Sequence, residues 1–293
     1  MLKLSTEVFD WNHLEAYDAD IIVIGSREFG MYAPTNLTQE ELFQAVVKVK
    51  EHQRLVGVRI DRIMQERDVE GLLAFLTIAL TYPIHYYFFS DMSVLGFFAT
   101  HPTSAQLVYN AKTLNCSPQD AAYYHKRGID VVISHELPLD EVKNIANNGN
   151  IGIEGFAHSL IFYSNRKLIS SYYDKYQIIP LHSYGTEYQI QEVNTKTWLY
   201  AVENQHGTTL YNDKTYAIYR ELEELSAAKY FIVQPHFMDE AALIKTLAIY
   251  RRAIAYGPTP EGYQELSTLH SNLESGFLYR KPLILEEGQY EKN

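Results

Sequence analysis

Short runs of β-branched and aromatic residues recur along this chain, and most are followed by a stretch of helical periodicity. "DIIVIGS" (20–26), "LVGVRI" (55–60), "IHYYFFS" (84–90), "IDVVISHE" (129–136) and "IGIEGFAHSLIFYS" (151–164) are continuous enough to be strands buried on both faces. The stretches between them carry helix punctuation. Thr38 followed three residues later by Glu41 predicts a capping box at the head of "NLTQEELFQAVVKVKEHQ". "DVEGLLAFLTIALTY" is an apolar helix stopped before Pro83, and a further helix runs from Ser117 to Gly128. Pro138 opens the next one and Gly149 closes it. A short strand "LKLSTEV" and a short helix "WNHLEAYDA" come before all of these. Strand alternating with helix predicts a parallel α/β sheet. The count reaches seven or eight strands, and a chain of 293 residues suits a (β/α)8, TIM-like barrel. The pattern alone also admits a doubly wound sheet.

From about Tyr184 the pattern changes. "YQIQEVNTKTWLYAVENQHGTTLYND" alternates polar and apolar residues, with turn signals at Asn194-Thr195 and His206-Gly207. It predicts an antiparallel β-hairpin insertion over about 184–213. "YAIYRELEELSAA" then reads as a helix, "KYFIVQP" as a strand and "DEAALIKTLAIYRRAIAY" as a helix, before a polar, loop-rich tail over about 257–293. With no tandem repeat or linker, one domain over 1–293 is the simplest organisation.

Charge and cysteine content narrow the function classes. A formal net charge of −11 argues against a chain that binds nucleic acid alone. The one cysteine, Cys116, can neither close an internal disulfide nor hold an iron–sulfur cluster that takes four thiolates. That usage fits a cytoplasmic protein, and no 18-residue apolar run suggests a membrane span. The 24 tyrosines hint at a concave, half-polar surface. "IGSREFG" has the wrong spacing for a dinucleotide fingerprint, and no nucleophilic triad is visible.

Polar residues stand where several strands end: Ser26, Asp61, Asp91, Glu136, and Glu154 with His158. Parallel barrels gather such ends at one mouth, where barrel enzymes place their sites. Carboxylates so gathered repel one another unless cations or hydrogen bonds intervene. Glu154 and His158, four residues apart in a regular strand, share a face. They read as an acid–base pair, as part of a metal site, or as a hydrogen-bonded structural pair. Glu136 reads equally as a site residue or a helix cap, and Asp91 rather as a cap. Gln106 and Asn110 read as ligand contacts or loop braces. Ser164 and Arg166 suit a small carboxylate ligand, since guanidinium pairs bidentately with it.

"ADIIVIGSREFGMYAPTNLTQEEL", "TSAQLVYNAKTLN", "GIDVVISHELPLDEVKNIA" and "IEGFAHSLIFYSNRKLISSYY" resemble, in order, the collagenase-like (U-thirty-two) peptidase family. The family core motif E-x-F-x-H appears as Glu154, Phe156 and His158, with Ser159 in place of the usual Gly, then Ser164 and Arg166. Ser104, Ala105, Gln106 and Asn110 match a second segment, His135-Glu136-Leu137 a third, and Glu203, Gly207 and Thr208 a fourth. The resemblance implies a barrel fold. It also implies a catalytic set of Glu154, His158 and Glu136, with Ser164, Arg166, Gln106 and Asn110 as ligand contacts; Asp91, a strand-end acid at the same mouth, joins that ligand set as an expectation from its position.

Several members of that family serve hydroxylation of transfer RNA wobble uridine, ribosomal RNA or ubiquinone precursors, often with an iron–sulfur cluster. Here Phe162 stands where the first motif cysteine would be, so no such cluster is expected in this chain, while a divalent metal is left open. "IVQPH" (232–236) also replaces a stretch with Glu and Arg, Asp61 replaces a common Asn, and Tyr32 falls where Arg is common. These departures resemble the short, cysteine-poor type that accompanies a longer cysteine-bearing relative. The implied function is a subunit in prephenate-dependent tRNA wobble-uridine 5-hydroxylation, with tRNA met through that partner. The alternatives are a metal-dependent collagenase-like endopeptidase and a non-catalytic scaffold.

Overall fold

The continuous apolar runs become strands whose two faces are both covered. The computed structural model describes residues 2–147, 150–178 and 187–280. Its first seven strands are β1 (Lys3–Glu7), β2 (Ile21–Gly25), β3 (Leu55–Ile60), β4 (Tyr86–Phe89), β5 (Gln106–Asn110), β6 (Ile129–Val132) and β7 (Ile151–Ser164). They pair in sequence order, all parallel. β11 (Tyr230–Val233) pairs in parallel with both β7 and β1, which closes an eight-stranded barrel. Ile21, Val23, Tyr86, Phe88, Val108, Val132, Tyr230 and Ile232 form one buried cluster inside the ring. A larger cluster fills the layer between strands and helices.

The helices that cover the barrel are α1 (Gln39–Glu51), α2 (Glu66–Ala79), α3 (Met92–Thr100), α4 (Pro118–His125), α5 (Leu139–Ala146) and α7 (Glu240–Tyr256). α1 starts at the expected capping box: Thr38 Oγ1 accepts from Glu41 N, and Glu41 Oε2 accepts from Thr38 N. The expected stop at Gly149 lies outside the described residues.

β7 is 14 residues long, far more than the barrel needs. Its C-terminal half leaves the ring and continues as an antiparallel sheet with β10 (Gly207–Ala217), β9 (Trp198–Asn204) and β8 (Glu187–Gln191). This is the hairpin insertion, with turns at 193–195 and 205–206. The start of the expected segment, 184–186, lies outside the described residues. α6 (Leu168–Lys175) follows β7 and packs on this sheet.

Four local expectations change. The helix expected in "WNHLEAYDA" is a single 3-10 turn, Leu14–Ala16. The helix expected over 216–228 is absent: Tyr216 and Ala217 pair with β7, and residues 220–227 form successive turns. Leu222 and Leu225 are still buried, so the apolar spacing is served by i→i+3 turns in place of a helix. The tail contains α8 (Pro260–Leu269), opened by the Thr259 side chain and Pro260, before residues 281–293, which lie outside the described residues. α3 and α6 carried no helix expectation. No described helix is long and apolar enough to cross a membrane.

Candidate functional site at the barrel mouth

The C-terminal ends of β1, β3, β5 and β11, with Glu154 near the start of β7, bring charged and amide side chains into the lumen. Arg59 of β3 is buried and bonds Glu7 of β1 through Nε and Nη2, the latter at 3.2 Å. It also donates to Asp61 and, at 2.6 Å, to the Tyr32 carbonyl. Glu154 Oε1 accepts from Asn110 Nδ2 at 2.7 Å, Lys112 Nζ at 2.9 Å and Gln234 Nε2 at 2.7 Å. Lys112 Nζ stands 3.9 Å from Asp61 Oδ2, which joins the two halves into one network. Lys112 reaches this position from a backbone at φ +60°, unusual for a non-glycine residue.

The network separates its carboxylates. Burial raises Glu154, but Lys112, the Asn110 hydrogen bond and nearby His135 outweigh it and hold the carboxyl below its usual value. Asp61 is likewise lowered, because Arg59 and Lys112 overcome its burial. Glu7 goes the other way: burial outweighs Arg59 and raises it. Three carboxylates against two cations need no further anion for balance. The cavity they line, with Ser5, Phe88 and Gln234, holds about 30 Å³, room for about one water.

His158 belongs to a different neighbourhood. Opposite β11, Ile232 pairs with Glu154 and Val233 with Phe156, so Gly155 is an extra residue, a β-bulge. A Cβ on Gly155 would lie 2.0 Å from the Phe231 ring, so the bulge requires glycine. The bulge interrupts the alternation that would have set Glu154 and His158 on one face. His158 Nδ1 donates to the Asn212 carbonyl at 2.9 Å, and Nε2 faces the Thr215 hydroxyl at 3.3 Å. Its ring meets Tyr200 and Phe237 edge-on, each at 5.2 Å. Burial lowers its pKa, and that hydrogen-bond pattern suits the neutral ring.

The appended sheet docks against the barrel mouth. Tyr32 bonds Glu187 of β8, His206 bonds the Arg27 carbonyl at 3.0 Å, and Asn204 bonds the Met31 carbonyl at 3.4 Å. Phe237, after β11, stacks on Tyr200 at 4.4 Å and on Tyr32 at 5.5 Å, with Tyr211 nearby. It does so at φ +60°, a strained backbone for an aromatic residue. Beside it, buried His236 has an unpartnered Nδ1, and burial with Arg59 and Lys112 pushes its pKa well down.

The sequence profile of Peptidase family U32 matches residues 10–287. The chain belongs to Peptidase family U32. An uncharacterized protease of Methanocaldococcus jannaschii is 25% identical over 169 residues, which is 53% of this chain and 40% of that protein. The match thus spans less than half the length of that relative. Among solved structures, a U32 peptidase is similar with a TM-score of 0.44 and 17% identity, over 54% of this chain and 70% of that one. A dihydrodipicolinate synthase gives a TM-score of 0.44 at 10% identity, over 92% and 80%. Likenesses this loose add nothing to the strand pairing, which closes the barrel by itself.

In this U32 chain the expected site residues are scattered. Glu154 and Asn110 meet directly. Glu136 is exposed, and its backbone N–H bonds Ser134 Oγ at 3.1 Å; its neighbour His135 is the one of the two that acts on Glu154 electrostatically. Asp91 accepts from Ser93 N and Met64 N, both at 2.8 Å, and caps α3. Gln106 opens β5, at the opposite end of the strand from Asn110, and bonds the Gly128 carbonyl at 2.7 Å. Ser164 and Arg166 lie at the far end of β7, ten or more residues and roughly 30 Å of strand beyond Glu154. Arg166 is exposed, and its N–H bonds Ser164 Oγ at 3.2 Å.

The Glu203, Gly207, Thr208 set anchors α6. Glu203 accepts from Ile169 N at 2.8 Å, Ser170 N at 2.9 Å and Thr208 Oγ1 at 2.7 Å. Sequence reasoning missed Glu7, Arg59, Lys112, Gln234 and Phe237. A visible signal existed for Arg59, a charge inside the apolar run "LVGVRI". Among the described residues no group of three or more His, Cys, Asp or Glu is arranged to hold a metal ion.

Proposed function

We propose that this U32 protein is a supporting subunit in the 5-hydroxylation of tRNA wobble uridine, with redox chemistry, RNA and the prephenate-type carboxylate on a longer cysteine-bearing relative. The observation that carries the reading is the condition of Glu154. Its Oε1 takes three donors, its carboxyl is held below the usual range, and it lines a cavity of about 30 Å³. A carboxylate so held is a weak base, and the cavity beside it is small. The net charge of −11 and the single cysteine support the same division of labour.

The endopeptidase alternative asks His158 to bind a metal or move a proton. Both ring nitrogens are already engaged, by Asn212 and Thr215, which favours the supporting role. Deleting the gene and measuring tRNA nucleosides by mass spectrometry tests the proposal. The expected result is loss of 5-hydroxyuridine and its derivatives; unchanged levels would overturn it. A hydrolysis assay on gelatin with added divalent metals is expected to show no cleavage that depends on His158.

A further inference from the structure

Outside Phe237 a second, larger space opens between β8 and the loop joining β11 to α7. It measures about 660 Å³, within the size range of small-ligand sites. Its walls are aromatic, with Tyr32, Tyr188, Tyr200 and Phe237 among the lining residues. Among the described residues the charged side chains lining it, Glu187 and Asp239, are both acidic. Glu187 accepts from the Tyr32 hydroxyl and Asp239 from Ala242 N, and neither has a basic partner among the described residues. Each carboxylate keeps further acceptor sites. We propose that this cleft receives an arginine side chain presented by a partner polypeptide.

A guanidinium is the group that uses both features at once. Its plane stacks on aromatic faces, and its forked N–H groups match a carboxylate. Phosphate-bearing ligands would meet two carboxylates, Glu187 on a tyrosine hydroxyl and Asp239 capping α7, in a chain whose net charge is already −11. Phe237, held at φ +60° and stacked on Tyr200 and Tyr32, keeps the aromatic wall in place. The inference rests on the supporting-subunit reading for the existence of a partner chain, and on the cleft alone for its chemistry.

The test is an NMR titration of the full-length 15N-labelled protein with a capped glycine–arginine–glycine peptide, against the same peptide with citrulline, which keeps the shape and removes the charge. The expected result is saturable shifts at amides of 187–191, 198–204 and 236–239, with the citrulline peptide at least about fivefold weaker. Glu187→Gln, a surface change, is expected to weaken the arginine peptide roughly two- to fivefold. Equal affinity for citrulline, or no saturable shift up to about 10 mM, well above the millimolar range of two weak contacts, would overturn the proposal. Co-purification with the longer relative separates the two ideas. If the relative co-purifies but the arginine peptide does not bind, the cleft proposal falls and the subunit reading stands. If the peptide binds and no relative co-purifies, the cleft is supported and the subunit reading falls.

Discussion

Inside the barrel, Glu7, Asp61 and Glu154 each have a basic partner, Arg59 or Lys112. On the appended sheet, Glu187 meets a tyrosine hydroxyl and Glu203 meets backbone N–H groups and a threonine. The side chains differ likewise. The lumen encloses its rings, whereas Ile161, Phe162, Ile190 and Trp198 of the appended sheet stay exposed. A closed ring of strands excludes water, so each charge in it must be balanced by another protein charge. A sheet added outside the ring keeps one face near solvent and can leave groups free to meet a partner. In this U32 protein the polar interior is held by its own ion pairs, and the contact proposed above falls on the appended sheet.

Removing Lys112 is the strongest way to break that comparison. Lys112→Met strands Glu154 and weakens the tie to Asp61, and should cost about 3–5 kcal/mol in denaturant unfolding. A cost under about 1 kcal/mol would mean that the lumen tolerates an unpaired charge as the surface does. Gly207→Ala acts only on the appended sheet. Gly207 sits at φ +138°, and a Cβ there would lie 1.9 Å from the Ser164 carbonyl oxygen. A local loss of about 2–3 kcal/mol is expected, seen in hydrogen exchange as faster opening of β9 and β10 while β2 to β5 keep their protection. Equal opening of the barrel would show that the two regions form one cooperative unit.

Phe237→Gly should cost about 2 kcal/mol, since relief of a strained backbone offsets part of the lost stacking. With the ring gone, water reaches His158 and His236, and NMR should find both titrating nearer the ordinary histidine value. Glu203→Ala frees the N–H groups of Ile169 and Ser170 and should cost about 1–2 kcal/mol, with exchange rising over 168–175.

The smallest effect is a pH slope. Glu154 and Asp61 have depressed folded pKa values, so their contribution is present above 4.5 and 3.8, their ordinary values, and is lost as pH falls through the folded ones. Glu7 is raised, so its contribution is present below 4.5 and is lost as pH rises through its folded value. Unfolding measured from pH 3 to 7 should show both arms, and Glu154→Gln should flatten the acid one. An unchanged acid arm in that variant would place the titration elsewhere.

The barrel was readable because buried parallel strands must be continuous apolar runs, as "LVGVRI" and "IHYYFFS" are. The capping box at Thr38 and Glu41 was readable for a similar reason, since both partners lie within one turn. The site was less readable. Ser164, Arg166 and Gln106 stand on the strands that carry Glu154 or Asn110, yet position along a strand takes them away from those residues. Glu136 points out to solvent because β6 ends at Val132, and the turn after it, not strand alternation, sets the direction of its side chain. The helix expected over 216–228 failed because β10 claims its first residues through pairing with β7, a contact about 60 positions away in the chain.

Read alone, the amino-acid order determined the strand and helix alternation and the antiparallel insertion, because periodicity, caps and turn residues act over a few neighbouring positions; the choice of a barrel over a doubly wound sheet came with the pairing of β11 to β1 and β7. Only the tertiary structure decided that Glu154 pairs with Lys112, that a one-residue bulge at Gly155 sends His158 to a different set of partners, and that Phe237 stacks on Tyr200 and Tyr32. Those outcomes depend on ring closure and on registers between distant strands, and a shift of one residue exchanges the two faces of a strand.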